Sequence, residues 1–313
     1  MPLHYRAFLV TVVWTLVLLY LGSVVHATES SLACPDWPTC FGTYMPEMEG
    51  GVFWEHLHRL VAGGLILMFG LASYMAFRWD QRRWVRRATI AGLALLFVQA
   101  TLGGITVIYQ LPDAVSTSHL SLAFIFLVLA TVLTVATSPS RGARPPIEGG
   151  ALQMLRTWGP FAAVLVFGQS VIGALVRHTD AGMACPDVPM CIGAWIPPLS
   201  NQLVALHFTH RVVGVVATLV IITLAVRLLR SGTTAPRVRR TAVTAILLVL
   251  AQMTLGILSV TSALAVIPVS LHTLGAALLL VTMTVLATWG FVREDRSSDR
   301  LTVDLDPPVS APL

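Results

Sequence analysis

The chain has 313 residues, is 56% hydrophobic and only 11% charged, and has a mean hydropathy of +0.78. That is more apolar than a soluble domain tolerates, and apolar runs of about 20 residues recur along it, the signature of membrane-spanning helices. The net charge of +5 does not point to nucleic acid, because the basic residues, all 20 of them Arg, sit in short polar stretches between the apolar runs.

In chain order, eight spans are expected, at about 7–25, 54–77, 88–108, 117–138, 158–176, 203–226, 241–262 and 268–292. The first run, Ala7 to Val25, is too long for a signal peptide and is followed by further spans, so it reads as a retained helix. The six residues before it leave no room for an Arg- and Ser-rich transit peptide. The stretch from Arg293 onward is charged and contains proline, and is expected to be disordered. The chain thus divides into a bundle at 1–140, a cytoplasmic linker at 141–157, a second bundle at 158–292 and a tail at 293–313.

Arg6 and the arginines within 78–87, 141–156, 227–240 and 293–300 all fall on one side of an eight-helix topology. The positive-inside rule makes that side the cytoplasm, with both termini there. Arg59, Arg177 and Arg211 are the exceptions, at the outer ends of spans, and a group of three in such positions points to function. The outside then carries two long loops, about 26–53 and 177–202, which contain all four cysteines.

The sequence repeats itself. Ala33-Cys34-Pro35-Asp36-Trp37-Pro38-Thr39-Cys40 and Ala184-Cys185-Pro186-Asp187-Val188-Pro189-Met190-Cys191 share one pattern, A-C-P-D-x-P-x-C, displaced by 151 positions. His58-Arg59 recurs as His210-Arg211, Gln99 with its T-L-G sequel as Gln252, and His119 as His272, at displacements of 152, 153 and 153. Such ordered landmarks indicate a duplication. Four spans per repeat give both halves one orientation, with a pseudo-two-fold axis along the membrane normal. The expected fold is an all-α membrane protein of two tandem pseudo-symmetric four-helix bundles, with sites between facing helices.

His58 and His119 both stand near the outer starts of their spans, at similar depth in one bundle, and His210 and His272 repeat the arrangement. A single histidine of this kind reads as a satisfied polar residue near a helix end. Two matching pairs suit the axial ligands of a haem or another metal. Gly63 and Gly64 after His58, and Gly214 after His210, would let a flat ring approach the backbone. Three residues before each first histidine the halves differ, with Glu55 in one and His207 in the other. A carboxylate on the same helix face as a ligand can move a proton or stabilise developing positive charge, which an electron-transfer site does not need. The plainer role for Glu55 is a solvated acid at a helix N-terminus. His56 lies roughly 200° around the helix from His58 and is expected to face outward.

The cysteines, spaced C-x5-C in both outer loops, suit two intraloop disulfides better than zinc. Arg59, Arg211 and Arg177 suit either haem propionates or snorkelling to the interface. Gln99 and Gln252 read as hydrogen-bonding glue between helices, or as pocket residues.

Cys34-Pro35-Asp36-Trp37-Pro38-Thr39-Cys40, then Glu55 with His58-Arg59, then His119, all echoed in the second half, resembles the haem A synthase family over about residues 7–292. The resemblance implies an eight-helix enzyme of the bacterial plasma membrane that oxidises the C8 methyl group of haem O to a formyl group, giving haem A for terminal oxidases. It implies a haem b held by His210 and His272, the substrate haem at His58 and His119, Glu55 as the catalytic carboxylate, and paired cysteines Cys34–Cys40 and Cys185–Cys191. The partners implied are haem O, an external electron donor, membrane lipid and the haem O synthase (protohaem farnesyltransferase) that supplies the substrate. One departure is visible: the first half has His26-Ala27 where the second has Arg177-His178. The competing readings are a bis-histidine cytochrome b that passes electrons from quinol without modifying haem, and a transporter. The first gives Glu55 no special task, and the second predicts polar clusters at mid-membrane rather than at outer helix ends.

Overall fold

The computed structural model describes residues 3–138, 147, 149–233 and 235–292. Arg141, Arg144, Arg293, Arg296, Arg300 and the tail expected at 293–313 lie outside them. The described chain is built on eight α-helices: α1 Leu3–Ala27, α2 Gly50–Trp79, α3 Arg83–Ile108, α4 Asp113–Thr137, α5 Gly149–His178, α6 Gln202–Arg230, α7 Pro236–Thr261 and α8 Val266–Phe291. All eight are long and apolar enough to cross a membrane.

The helices run past the apolar stretches because polar ends continue the same backbone hydrogen bonding. The largest difference is α5, which begins at Gly149 rather than near 158 and passes through Pro160. Most of the stretch expected to link the halves is therefore helix. Here Gly159 and Gly290 bring α5 and α8 to backbone contact: a Cβ at Gly159 would lie 2.8 Å from the Ala287 Cα. Arg156 donates from Nε to the Gly290 carbonyl at 2.8 Å, closing that end of the pair.

Helices α1 to α4 neighbour one another in a ring, α1 against α2, α2 against α3, α3 against α4 and α4 against α1. The same neighbour relations hold among α5 to α8. The halves meet where α1 packs on α8, α4 on α5, and α4 on α8. Phe8, Phe69 and Phe126, all fully buried, stack within the first ring, and Gly92 makes room for the Phe69 ring. Threonines inside the helices satisfy their hydroxyls on the carbonyl four residues back, as Thr11, Thr131 and Thr134 do, which lets them sit in an apolar interior.

The connections on the side away from the disulfide loops are short. Between α2 and α3, Asp80 accepts from the Arg82 backbone N–H and Nε, both at 2.9 Å, and Arg82 reaches on to the Ala136 carbonyl at the end of α4. Burial works against the Asp80 carboxylate, but hydrogen bonds from Arg82 outweigh it and hold the group below the usual carboxylate range.

Candidate functional site

The disulfide-bearing ends of the bundles are covered by two loops that fold alike. Cys34 is bonded to Cys40, and Cys185 to Cys191. A cis peptide bond precedes Pro38 in one loop and Pro189 in the other, and each loop turns through a left-handed pair, Phe41-Gly42 and Ile192-Gly193. Asp36 accepts from the backbone N–H groups of Phe41 and Gly42, as Asp187 does from Gly193. The Thr39 hydroxyl, then the Gly42 N–H, hold the Asp36 carboxyl below its usual range. Stability drawn from that carboxylate is lost as pH falls through the lowered value.

The arginine after each first histidine fastens the loop to its helix. Arg59 Nη1 donates to the carbonyls of Asp36, at 2.7 Å, and Thr39, while Nη2 reaches Glu55 Oε1 at 2.5 Å. Arg211 makes the corresponding bonds to the carbonyls of Asp187, at 2.7 Å, Met190, at 2.9 Å, and Cys185. Arg177 lies at the seam between halves, donating to the Ser23 hydroxyl at 2.9 Å and its carbonyl at 2.8 Å, while Ser23 donates to Thr273 on α8 at 3.1 Å. The three arginines thus already have protein partners, so any propionate would share them. Arg211→Met strips a charged donor from three carbonyls, and a loss of about 2 kcal/mol is expected. Thermal unfolding of the detergent-solubilised protein measures it; an unchanged midpoint would mean that water replaces the guanidinium.

Glu55 is buried near the start of α2, at its disulfide-capped end. Its Oε2 accepts from the Cys34 N–H at 2.8 Å and its Oε1 from Arg59. It is therefore not a solvated terminal acid. Its counterpart His207 is equally buried and is fixed through Nδ1 on the Ala181 carbonyl at 2.9 Å. His56 is not outward-facing. It is buried, with Nε2 3.1 Å from the Tyr44 carbonyl and a ring nitrogen within 4.8 Å of the Cys34 and Cys40 sulfurs. The side of α2 opposite His58 is roofed by the disulfide loop, which the helix angle alone does not reveal. In the second half Phe208 stands at that place, against Cys185 and Cys191.

The four histidines of the repeat share one feature: each ring lies over a glycine of a neighbouring helix. A Cβ at Gly22 would come 3.0 Å from Cε1 of His58, and one at Gly103 3.3 Å from that of His119. The matching distances are 2.9 Å for Gly173 under His210 and 3.1 Å for Gly256 under His272. These glycines, on α1, α3, α5 and α7, are the close approaches that the spacing around Gly63, Gly64 and Gly214 suggested elsewhere. Gly64 instead admits the Trp14 indole, Gly214 admits Gln169, and nothing lies within 4 Å of a Cβ at Gly63. The signal in sequence was the recurrence of glycine four residues after Gln99 and Gln252, and of Gly22 as Gly173.

His210 and His272 stand with ring centroids 6.4 Å apart and planes at 69°. His58 and His119 are within electrostatic reach of one another, and the Nδ1 atoms of both, like that of His272, are buried without a hydrogen-bond partner. Among the described residues, neither ring of the first pair has a side-chain hydrogen bond. At the seam His26 and His178 form a further ring pair, 5.3 Å between centroids, with His178 Nδ1 3.1 Å from the Thr117 hydroxyl.

Eight helices able to cross a membrane, with disulfides in two of their loops and histidines over glycines in each half, define a helical membrane protein. The family model described as cytochrome oxidase assembly protein, COX15-CtaA, matches residues 5–284, and the chain belongs to that family. It is 31% identical over 281 residues to the haem A synthase of Halalkalibacterium halodurans, covering 87% of this chain and 92% of that one. The haem A synthase of Symbiobacterium thermophilum is 31% identical over 212 residues, covering 65% and 68%. That of Shewanella oneidensis is 25% identical over 317 residues, covering 88% and 92%.

Proposed function

We propose that the protein is a haem A synthase of the bacterial plasma membrane, an oxidoreductase that converts the C8 methyl group of haem O into a formyl group. The observation that carries this reading is the duplicated histidine pair in a chain of this family, with a buried carboxylate beside only one of the two pairs. The second pair fits a bis-imidazole haem. Two metal–nitrogen bonds of about 2 Å each, plus the half-widths of two imidazoles, span a separation like that between the His210 and His272 rings. The unpartnered Nδ1 atoms of His58, His119 and His272 fit a group bonded by ring nitrogens, and the glycine floors set the depth of the imidazoles that would hold it.

In this reading haem b is held by His210 and His272 and the substrate haem by His58 and His119. Bound haem b supplies one-electron transfer. The chain's own contribution is positional. Gly22 and Gly103 let the first pair sit deep, and the disulfide loop, clamped by Arg59, roofs the site against water. The Cys34 N–H and Arg59 hold the Glu55 carboxylate at the mouth, one helical turn from His58, where it can move a proton or stabilise developing positive charge. The two halves lie side by side about an axis along the membrane normal, with both termini cytoplasmic. The methyl group is oxidised by two successive hydroxylations followed by loss of water. Each hydroxylation consumes an oxygen-atom donor such as O2, whose second oxygen leaves as water, with two electrons from an external donor. The haem O synthase supplies the substrate.

The test is to express the protein with a haem O source and identify extracted haem by mass. Haem A is expected. Its absence, with haem O accumulating in folded protein, would leave the bis-histidine cytochrome as the better reading.

A further inference from the structure

The two histidine pairs differ in what holds them. In the second half Gln169 on α5 lies with Nε2 3.0 Å from His210 Nδ1 and 2.8 Å from the His210 carbonyl. Gln252 on α7 lies 3.3 Å from His272 Nε2 and donates to the His272 carbonyl at 3.0 Å. Both amides need a neighbouring glycine. A Cβ at Gly214 would come 3.1 Å from Gln169 Nε2, and one at Gly275 only 2.2 Å from Gln252 Oε1.

The first half lacks this set. At the displacement that superposes Gly22 on Gly173, Gln169 becomes Leu18. At the displacements of the two histidines, Gly214 becomes Ala62 and Gly275 becomes Leu122. Gln99 is retained at the place of Gln252, yet its side chain makes no hydrogen bond among the described residues and its Oε1 is buried without a partner, so that only its backbone bears on His119. Leu122 explains why: where even a Cβ would collide with the Gln252 amide, a whole leucine keeps Gln99 from the matching pose.

We propose that Gln169 and Gln252 are positioning residues that lock His210 and His272 as permanent ligands, and that the exchange of Leu18 and Leu122 for Gln169 and Gly275 leaves His58 and His119 free to release what they bind. This rests on the reading of the second pair as haem ligands. A neutral imidazole ligates through one ring nitrogen and carries its proton on the other. Gln169 stands at Nδ1 of His210, which leaves Nε2 for the ligand, and Gln252 at Nε2 of His272, which leaves the unpartnered Nδ1. Such outer partners fix ring orientation and raise ligand basicity. Gln169 Oε1, which has no other partner, can accept the Nδ1 proton of His210 if the amide turns over, which exchanges the bond to the His210 carbonyl for one to the ring, so the amide stays fixed to His210 in either orientation. The first pocket must discharge a product after each turnover, so rings without such a lock suit it.

The experiment uses the full-length protein purified with its haem. Haem loss to excess apomyoglobin and the reduction potential of the low-spin haem are followed in Gln169→Leu, Gly275→Ala and Gln169→Glu. Gln169→Leu and Gly275→Ala are expected to lose the low-spin haem about tenfold faster, the lower end of the usual effect of removing an outer partner of a metal ligand. Gln169→Glu keeps an acceptor for Nδ1–H, so it should retain haem at the wild-type rate with a lowered potential, which a purely structural role would not produce. Wild-type retention and potential in Gln169→Leu would overturn the proposal, whatever the protein does to haem O. A wild-type protein carrying no low-spin haem would instead remove the ligand reading itself, and this inference with it.

Discussion

Glu55→Ala is expected to abolish haem A formation, a loss of roughly 10²–10⁴-fold, the range typical of a positioned acid–base group. The alanine variant alone is ambiguous, because the carboxylate also accepts from the Cys34 N–H and from Arg59. Its removal leaves a buried guanidinium without its anion, a change that destabilises by several kcal/mol in other buried pairs. Glu55→Gln separates the two roles. The amide oxygen still accepts from Cys34 or Arg59, so the loop should stay in place and thermal stability should fall little. Activity should fall nearly as far as in the alanine variant, because an amide neither carries a proton nor bears negative charge. Haem A made by Glu55→Gln at close to the wild-type rate would reduce Glu55 to a loop anchor.

The second large effect concerns the other pair. His210→Ala removes one of two imidazoles 6.4 Å apart. The low-spin haem signal of the purified protein should disappear, whereas His58→Ala should leave it intact and abolish only haem O conversion. Absorption spectra of the oxidised and reduced forms decide this directly. A low-spin signal that survives in His210→Ala and vanishes in His58→Ala would reverse the roles of the two halves.

The architecture was readable in the chain because a membrane leaves few options: an apolar run of the right length becomes a helix, and paired cysteines in an outer loop become disulfides. Both held, with the spans lengthened and the cysteines paired as Cys34–Cys40 and Cys185–Cys191. The repeat also placed the four histidines on alternate helices, and they stand on α2, α4, α6 and α8. What stayed hidden depends on contacts between distant segments. The burial of His56 requires knowing that residues 28–49 fold back over α2, and helix angle carries no such information. That Arg59 and Arg211 clamp the loops was not legible, because no sequence rule says that three loop carbonyls will converge on a guanidinium. The glycines under the rings were overlooked because they lie on other helices than the histidines, so their spacing from those histidines in sequence means nothing. Gln169 has no echo at Leu18, and a search for what the halves share passes over it.

The glycine floors also restrict where the two copies can diverge. A ring resting on bare backbone has its depth and tilt set by the path of the helix, with no side chain to exchange for a slightly larger or smaller one. Even the smallest addition, a methyl group, meets the imidazole at 2.9 to 3.3 Å in all four places. Any step at the floor therefore moves the imidazole itself by a few tenths of an ångström, and finer variation falls on the residues that flank the rings. That is where the halves in fact part company, at Leu18 and Gln169, Leu122 and Gly275, Glu55 and His207. Anyone redesigning one pocket for a different macrocycle should leave the floors alone and work on those flanks.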